Sequence, residues 1–312
     1  MASAEGIAVT GWGIAAPEQV VTNHDLEQVL DTSDEWIRTR SGIAERRWVS
    51  ADETTTSLAA HAVTDALKVA GATPGEVGLL VLATCTPDQV MPHSGAAVCE
   101  AVGMSCGSFD VNGACAGFVD ALVAAAGLVA TAPGPVVVAG SERMSAIVDR
   151  HDRSTAVLFG DGAGALVLAP GDGALLAWDA GTDGSLKELL EIPTGEPWVR
   201  MEGGEVFRRA VRIICDSALA TLGRAGLEPA DVDLFVPHQA NARIIEAARL
   251  RLDLPAERVA LNVDRWGNTS AASIAIAVAE AAASGRISPG DHVLVSGFGA
   301  GMTWASALLR WA

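Results

Sequence analysis

Apolar residues along this chain fall into short runs bounded by turn residues, and these runs alternate with stretches of helical periodicity. Val77–Thr84, Pro135–Gly140 and Gly162–Leu168 read as buried strands in the first half. Val232–Pro237, His292–Gly297 and Thr303–Leu309 read the same way in the second. A short strand is predicted before Cys115, and a helix after it with Phe118, Leu122, Ala125 and Val129 on one face. Further helices are predicted near Ala96–Val102, over Ala242–Leu252, and over Ala271–Ala283 with Gly285 as the stop.

The two sets repeat in the same order. Strand Val77–Thr84, the loop at Cys85 and its helix correspond to strand Val232–Pro237, the loop at His238 and its helix. The Cys115 turn corresponds to a strand Val259–Val263, a loop to Asn268 and the helix Ala271–Ala283. A duplicated α/β chain follows, with halves at residues 1–172 and 173–312. Such alternation predicts mostly parallel sheets with helices on both faces. Ligands then bind at the carboxyl ends of the strands. A pseudo-dyad between the halves would bring Cys115 from one together with His238 and Asn268 from the other.

Composition narrows the function classes. The net charge is −17 in 312 residues, which argues against nucleic acid as a partner. No apolar run is both long and charge-free enough for a membrane span, and the first residues lack the basic region of a secretory signal. Five cysteines without a CxxC pair give neither a metal site nor a disulfide framework. A reducing cytoplasm is the expected setting.

At a helix N-terminus, Cys115 would feel unpaired N–H groups that favour thiolate over thiol, which would make it a nucleophile. Gly113 and Gly117 would leave room for a substrate beside the sulfur. The plainer reading is a small buried hydrophobe, as expected for Cys85, Cys99, Cys106 and Cys215. His238 suits a loop histidine bonded to backbone as well as a catalytic one. Asn268 and Asn241 suit helix N-caps. Gly297–Met302 is either a flexible turn or the source of an oxyanion-binding N–H. Gly160–Gly164 reads as a turn, since it lacks the Gly-Lys-Ser ending of a phosphate loop. Cys, His and Asn together also occur in papain-like hydrolases, but the surroundings of Cys115 and the duplication are unlike that family.

Five stretches carry a resemblance that runs nearly end to end. They are Asp31–Ile37 (DTSDEWI), Ala114–Phe118 (ACAGF), Phe159–Ala165 (FGDGAGA), Pro237–Asn241 (PHQAN) and Gly267–Ser273 (GNTSAAS). With them the chain resembles β-ketoacyl-acyl-carrier-protein synthase III of the thiolase superfamily. The resemblance implies a thiolase-like duplicated five-layer αβαβα sandwich, usually a homodimer, with no cofactor beyond a coenzyme A thioester substrate. It implies that Cys115 takes an acyl group from acyl-CoA, and that His238 and Asn268 support decarboxylation of malonyl-acyl carrier protein. The resulting carbanion attacks the acyl-cysteine, with the N–H groups of Cys115 and Ala300 as oxyanion hole. It also implies a coenzyme A channel at Trp36, Arg40, Arg153, Phe207, Ala240, Asn241 and Arg243. Met91 stands where the family often has Phe, near the end of the acyl pocket, and Gly184–Glu205 is short for that pocket region. Arg208, Arg209, Arg243, Arg249 and Arg251 form either a docking patch for an acidic carrier protein or an ordinary solvated helix face. The alternatives carried with this reading are an acyltransferase of the same fold that does not decarboxylate, and a non-catalytic partner subunit. The presence of all three polar residues disfavours the partner subunit.

Overall fold

The computed structural model describes residues 6–312. The first half contains β1 (Ile7–Ala15), β2 (Gln19–Thr22), α1 (Asn23–Glu27), α2 (Asp34–Ser41), β3 (Glu45–Trp48) and α3 (Thr55–Ala70). It continues with β4 (Leu79–Ala83), α4 (Ser94–Val102), β5 (Gly107–Val111), α5 (Gly117–Leu128), β6 (Val136–Arg143), α6 (Arg153–Ala156) and β7 (Asp161–Pro170). The second half contains β8 (Ala174–Thr182), β9 (Leu190–Glu191), β10 (Arg200–Met201), α7 (Gly203–Ala225), β11 (Leu234–Pro237) and α8 (Ala242–Arg251). It ends with α9 (Val263–Trp266), α10 (Ala272–Ala283), β12 (His292–Gly299) and β13 (Thr303–Arg310).

Two sheets organise these elements. The first runs β1-β7-β6-β4-β5 and the second β8-β13-β12-β11. Each strand of the second matches one of the first in order, and the bridge Phe235↔Val259 stands where β5 stands. Helix α3 covers the outer face of the first sheet and packs on α4, while α7 covers the second and packs on α8. Helices α5 and α10 lie between the sheets and touch strands of both. That gives the five layers of the duplicated thiolase-like sandwich.

Sequence accounts for which helix takes which layer. Helix α7 buries Val206, Ala210, Ile214, Ala218 and Leu222, four residues apart, and so has one apolar stripe. It ends where Gly226 adopts φ +72°. Helices α5 and α10 carry a single charged residue each, Asp120 and Glu280, and are apolar all round. A helix with no polar face must be enclosed. Small residues let α10 approach the sheet closely. A Cβ on Gly164 of β7 would lie 2.6 Å from Ala275 C and Ile276 N.

Three expectations are corrected here. The sheets are mixed rather than mostly parallel: β4 pairs parallel with β5 and β6, but β7 runs antiparallel to both β6 and β1. In the second sheet only β11–β12 is parallel. Apolar run lengths report burial on both faces and do not report strand direction. The strand expected at Val259–Val263 is one bridge. Beyond it the Gln239 side chain occupies Ala260 O at 3.2 Å and Asn262 N–H at 2.9 Å, and the chain coils into α9. Gly160–Gly164 is not a turn but the entry into β7.

Gly164→Ala should destabilise the fold by about 1–3 kcal/mol, because the added methyl overpacks the α10 contact. Urea denaturation checks this, and an unchanged midpoint would show that α10 can shift freely.

Candidate active site

Cys115 sits in a helical turn, Ala114–Ala116, between β5 and α5. Ala114 adopts φ +47°, an unfavourable region for a residue with a Cβ. Its pseudo-dyad counterpart Ser270, just before α10, adopts φ +48°. The two strained turns meet: the Cys115 thiol donates to Ser270 Oγ at 3.3 Å. Strand β12 passes directly over the nucleophile turn. A Cβ on Gly299 would lie 2.6 Å from Cys115 N. Thr303 Oγ1 donates to Gly113 O at 3.2 Å and so ties β13 to the same turn.

His238 follows β11 and is 1 % exposed. Its N–H donates to Ser296 O at 2.8 Å, and its ring stands edge-on to Phe298 with centroids 5.5 Å apart. Nδ1 lies 2.6 Å from Ser273 Oγ, which leaves Nε2 as the ring nitrogen without that partner. Burial pulls the imidazole down to about 3, so it is neutral at physiological pH. The Ser273 hydroxyl can donate to Nδ1 or accept from it, so either tautomer is supported.

Asn268 is held by its backbone. Its N–H donates to Leu158 O at 2.8 Å and its carbonyl accepts from Gly160 N at 3.0 Å. Its Oδ1 accepts from Ser270 N–H at 2.9 Å, which leaves the amide NH₂ to donate elsewhere. Asn268 is therefore not the N-cap of α10, whose cap position is Ala271. Asn241 is an N-cap, of α8, accepting from Arg243 N at 2.8 Å.

Cys115, His238 and Asn268 all open into one cavity of about 80 Å³, whose other walls include Phe207, Ala240 and Asn241. A second cavity of about 100 Å³ lies on the other side of Cys115 and is lined by Ala114, Met144, Ile147, Leu190, Ile192, Val199 and Ala300. Phe159 and Leu190 belong to both cavities, so the sulfur stands at their junction.

Burial opposes the expected thiolate. Burial pushes the Cys115 thiol up to about 12, although the Ser270 hydroxyl acts in the opposite direction. The N-terminus of α5 favours the anion by up to ~2 kcal/mol, about a thirtyfold shift of the equilibrium. Burial outweighs it, and the resting sulfur is a thiol beside a neutral imidazole. Gly113 and Gly117 do not clear a path to it either. A Cβ on Gly113 would lie 2.3 Å from Asp120 Oδ2, and one on Gly117 would face Ala83 and Ala271. Packing thus requires glycine at 113, whereas a Cβ at 117 would make ordinary contacts at 3.8–3.9 Å.

These features have a close counterpart in known proteins. Residues 109–184 match the family model described as 3-oxoacyl-[acyl-carrier-protein (ACP)] synthase III, and residues 222–311 match its C-terminal model. The β-ketoacyl-[acyl-carrier-protein] synthase III of Listeria monocytogenes is 46% identical over 307 residues, covering 97% of this chain and 98% of that protein. The chain belongs to the β-ketoacyl-[acyl-carrier-protein] synthase III family.

Solved structures of that family have the same fold. The Aquifex aeolicus 3-oxoacyl-[acyl-carrier-protein] synthase III superposes with a TM-score of 0.95 at 42% identity, covering 98% of this chain and all of that one. The priming β-ketosynthase from the R1128 polyketide pathway gives 0.93 at 37% identity, covering 98% and 97%.

The outer residues that the synthase III resemblance implied are placed unevenly. Phe207, Ala240 and Asn241 line the cavity. The Arg243 guanidinium covers the Phe207 ring at 5.2 Å. Trp36 and Arg153 lie outside the cavity lining, with the Arg153 guanidinium 4.7 Å from the Trp36 centroid. One face of that indole is thus already covered. Arg40 is exposed, and its carbonyl accepts from Asn241 Nδ2 at 3.0 Å. Met91 is 86% exposed and lines neither cavity. The five-arginine patch is mostly neutralised. Arg208 and Arg209 pair with Glu205, Arg249 with Glu246 and Arg251 with Asp216. Among the described residues, Arg243 alone of the five has no carboxylate partner.

Several site residues escaped the sequence reading. Cys85 and Cys106 are half-buried rather than buried, and Cys85 lines the second cavity. The Cys85 thiol donates to buried Glu142 at 3.2 Å and lies 3.6 Å from Ser270 Oγ. Its place at the carboxyl end of β4 was the available signal. Ser270 and Ser273 lie within the quoted Gly267–Ser273 stretch, but their partners come from the other half of the chain or from another loop.

Alkylation of Cys115 by iodoacetamide should be slow at pH 7.5 and rise about tenfold per pH unit to pH 9.5, as the thiolate fraction does below its pKa. Peptide mapping of the rate against pH checks this. A rate that is flat above pH 8 would reveal a preformed thiolate.

Proposed function

We infer that the chain is a condensing acyltransferase that joins an acyl group from acyl-CoA to malonyl-acyl carrier protein, priming fatty-acid or polyketide synthesis. The observation that carries this reading is the single cavity shared by Cys115, His238 and Asn268, with both His and Asn side chains oriented by bonds behind them. The family relatives are named as β-ketoacyl synthases, which favours condensation over simple transfer to a hydroxyl or amine.

In the first half-reaction the Cys115 sulfur attacks the thioester carbonyl of acyl-CoA. Its proton goes to neutral His238 Nε2, with Nδ1–H donating to Ser273, and passes from there to the departing sulfur, so that coenzyme A leaves as its thiol. The Cys115 and Ala300 N–H groups stabilise the tetrahedral oxyanion. Ala300 lines the cavity beside Cys115, and neither N–H donates to another backbone carbonyl in the turns around it. In the second half-reaction His238 is the other neutral tautomer, with Nδ1 accepting from the Ser273 hydroxyl, and its Nε2–H and the Asn268 amide donate to the malonyl thioester carbonyl. The bond to the carboxylate breaks, CO₂ leaves, and the electron pair forms an enolate. Its carbon attacks the acyl-cysteine, and the cysteine sulfur departs as thiolate and takes up one proton from solvent to restore the thiol. A low-dielectric site with neutral donors suits developing negative charge on oxygen. Coenzyme A acts as substrate, and no cofactor enters the scheme.

The outer sites extend the proposal. Trp36, Arg40 and Arg153 take the nucleotide end of coenzyme A, with Arg153 moving off the indole face. Arg243, at the cavity rim without a carboxylate partner, meets the acidic carrier protein. Oligomerisation is proposed across β5, the edge strand of the first sheet. Phe109 on β5 and the neighbouring Val90 and Met91 are exposed apolar residues. An unpaired edge of that kind invites a second copy of the chain. A cytoplasmic setting fits the five free cysteines. No helix among the described residues is long and apolar enough to cross a membrane.

Cys115→Ala should abolish acyl-enzyme formation yet retain CO₂ release from malonyl-carrier protein. Asn268→Ala should still acylate and lose CO₂ release by about a hundredfold. Intact mass and labelled CO₂, followed separately on each variant, check the assignment. Acyl transfer without any CO₂ release by the parent enzyme would overturn condensation.

The cavity lined by Ile147, Ile192 and Val199 holds the acyl chain in this reading. Val199→Phe should lower kcat/KM for four- and five-carbon acyl-CoA by about tenfold more than for acetyl-CoA, since overpacking is felt where the chain ends. Competition between the two thioesters measures the ratio directly.

A further inference from the structure

Arg46 is fully buried, and its guanidinium meets no carboxylate. Nη1 donates to Val21 O at 3.2 Å and Asn23 Oδ1 at 2.8 Å, Nη2 donates to Val157 O at 2.6 Å, and Nε has no partner. A buried cation without a counterion is costly, and the chemistry at Cys115 does not use it. Trp48 lies two residues further along β3, so its side chain shares a face with that of Arg46. Its indole N–H donates to Phe159 O at 3.1 Å.

The two side chains therefore hold the carbonyls of Val157 and Phe159. Between and beyond these, Leu158 O and Gly160 N are the groups that hold the Asn268 backbone. The ribbon Val157–Gly160 is thus gripped from one side by β3 and from the other by Asn268. The Arg46 stem also fills the space where the two segments cross. A Cβ on Gly160 would lie 3.1 Å, and one on Gly267 3.0 Å, from Arg46 Cβ. Asn268 has little freedom to compensate for movement here, because its Oδ1 is fixed by Ser270 N–H.

We propose that Arg46 and Trp48 are positioning residues for the decarboxylation step, setting where the Asn268 amide projects into the cavity through the Val157–Gly160 ribbon. The proposal rests on the condensing reaction assigned above. It separates the two half-reactions: acylation uses Cys115, His238 and the β12 turn, to none of which Arg46 or Trp48 is hydrogen-bonded, while decarboxylation adds Asn268, whose backbone the ribbon holds.

The test is acyl-enzyme formation and CO₂ release measured separately for the parent, Arg46→Lys and Trp48→Phe. Trp48→Phe keeps the ring and removes only the N–H. Acylation should stay within about threefold of the parent. The kcat for CO₂ release should fall about tenfold in Trp48→Phe and about a hundredfold in Arg46→Lys, the scale expected for a displacement near 1 Å, with KM for malonyl-carrier protein unchanged. On an Asn268→Ala background neither change should add a further loss, because all three act through one group. Should Arg46→Lys fail to fold, Trp48→Phe decides alone. Parent-level CO₂ release in Trp48→Phe, equal losses in both half-reactions, or full additivity with Asn268→Ala would overturn the proposal while leaving the assigned reaction standing. No CO₂ release by the parent would overturn the reaction and the strut's role together.

Discussion

At the centre of the molecule backbone passes against backbone with no side chain between them, and every functional feature depends on that proximity. Strand β12 crosses the Cys115 turn at a distance only glycine tolerates, and β7 admits α10 by the same means at Gly164. Two helices from different halves fit between two sheets because Ala is by far their commonest residue. Larger residues would separate the sheets and, with them, the two strained turns at Ala114 and Ser270. The strain at those turns is tolerated because the packing on both sides over-determines them.

The enclosure that builds the site also sets its electrostatics. Burial pushes the Cys115 thiol up and the His238 imidazole down, so the resting pair is neutral on both sides. Glu142, fully buried beneath Cys85, is likewise pushed up by burial, and the Thr86, Cys85 and Ser270 donors act against that shift. A buried site of neutral groups suits a reaction whose negative charge appears on substrate oxygen and disappears again. It also explains why hydroxyl groups recur as partners of the reacting residues. Ser270 and Ser273 can each donate or accept, so they accommodate a proton on either side of the bond without a new charge being buried.

Much of the architecture was legible from the pattern of residues. The apolar runs placed β4, β6, β7, β11, β12 and β13, and the repeat order anticipated two equivalent sheets. The enclosure of α5 and α10 did not follow from the single apolar face expected for α5, although the near-absence of polar residues in both is consistent with it. Strand direction was not legible, because a run buried on both faces looks alike in parallel and antiparallel pairing. Nor was the replacement of a strand at Val259–Val263 by the side chain of Gln239, which depends on a residue twenty positions earlier.

For the site, the chain order alone placed Cys115, His238 and Asn268 at the ends of equivalent units, and the dyad implied by the repeat brought them to one cavity. Sequence determined the residue types, the repeat and the strand-to-helix turns, all of which are local or periodic properties. Only the tertiary structure decided that a Cys115 thiolate is disfavoured, because the cost of burying its charge depends on atoms from both halves. It likewise moved Met91 out to the surface, paired four of five arginines with acids, and set Arg46 and Trp48 behind Asn268. Each of these depends on which distant segments come within a few ångströms, and no local pattern in the chain encodes that distance.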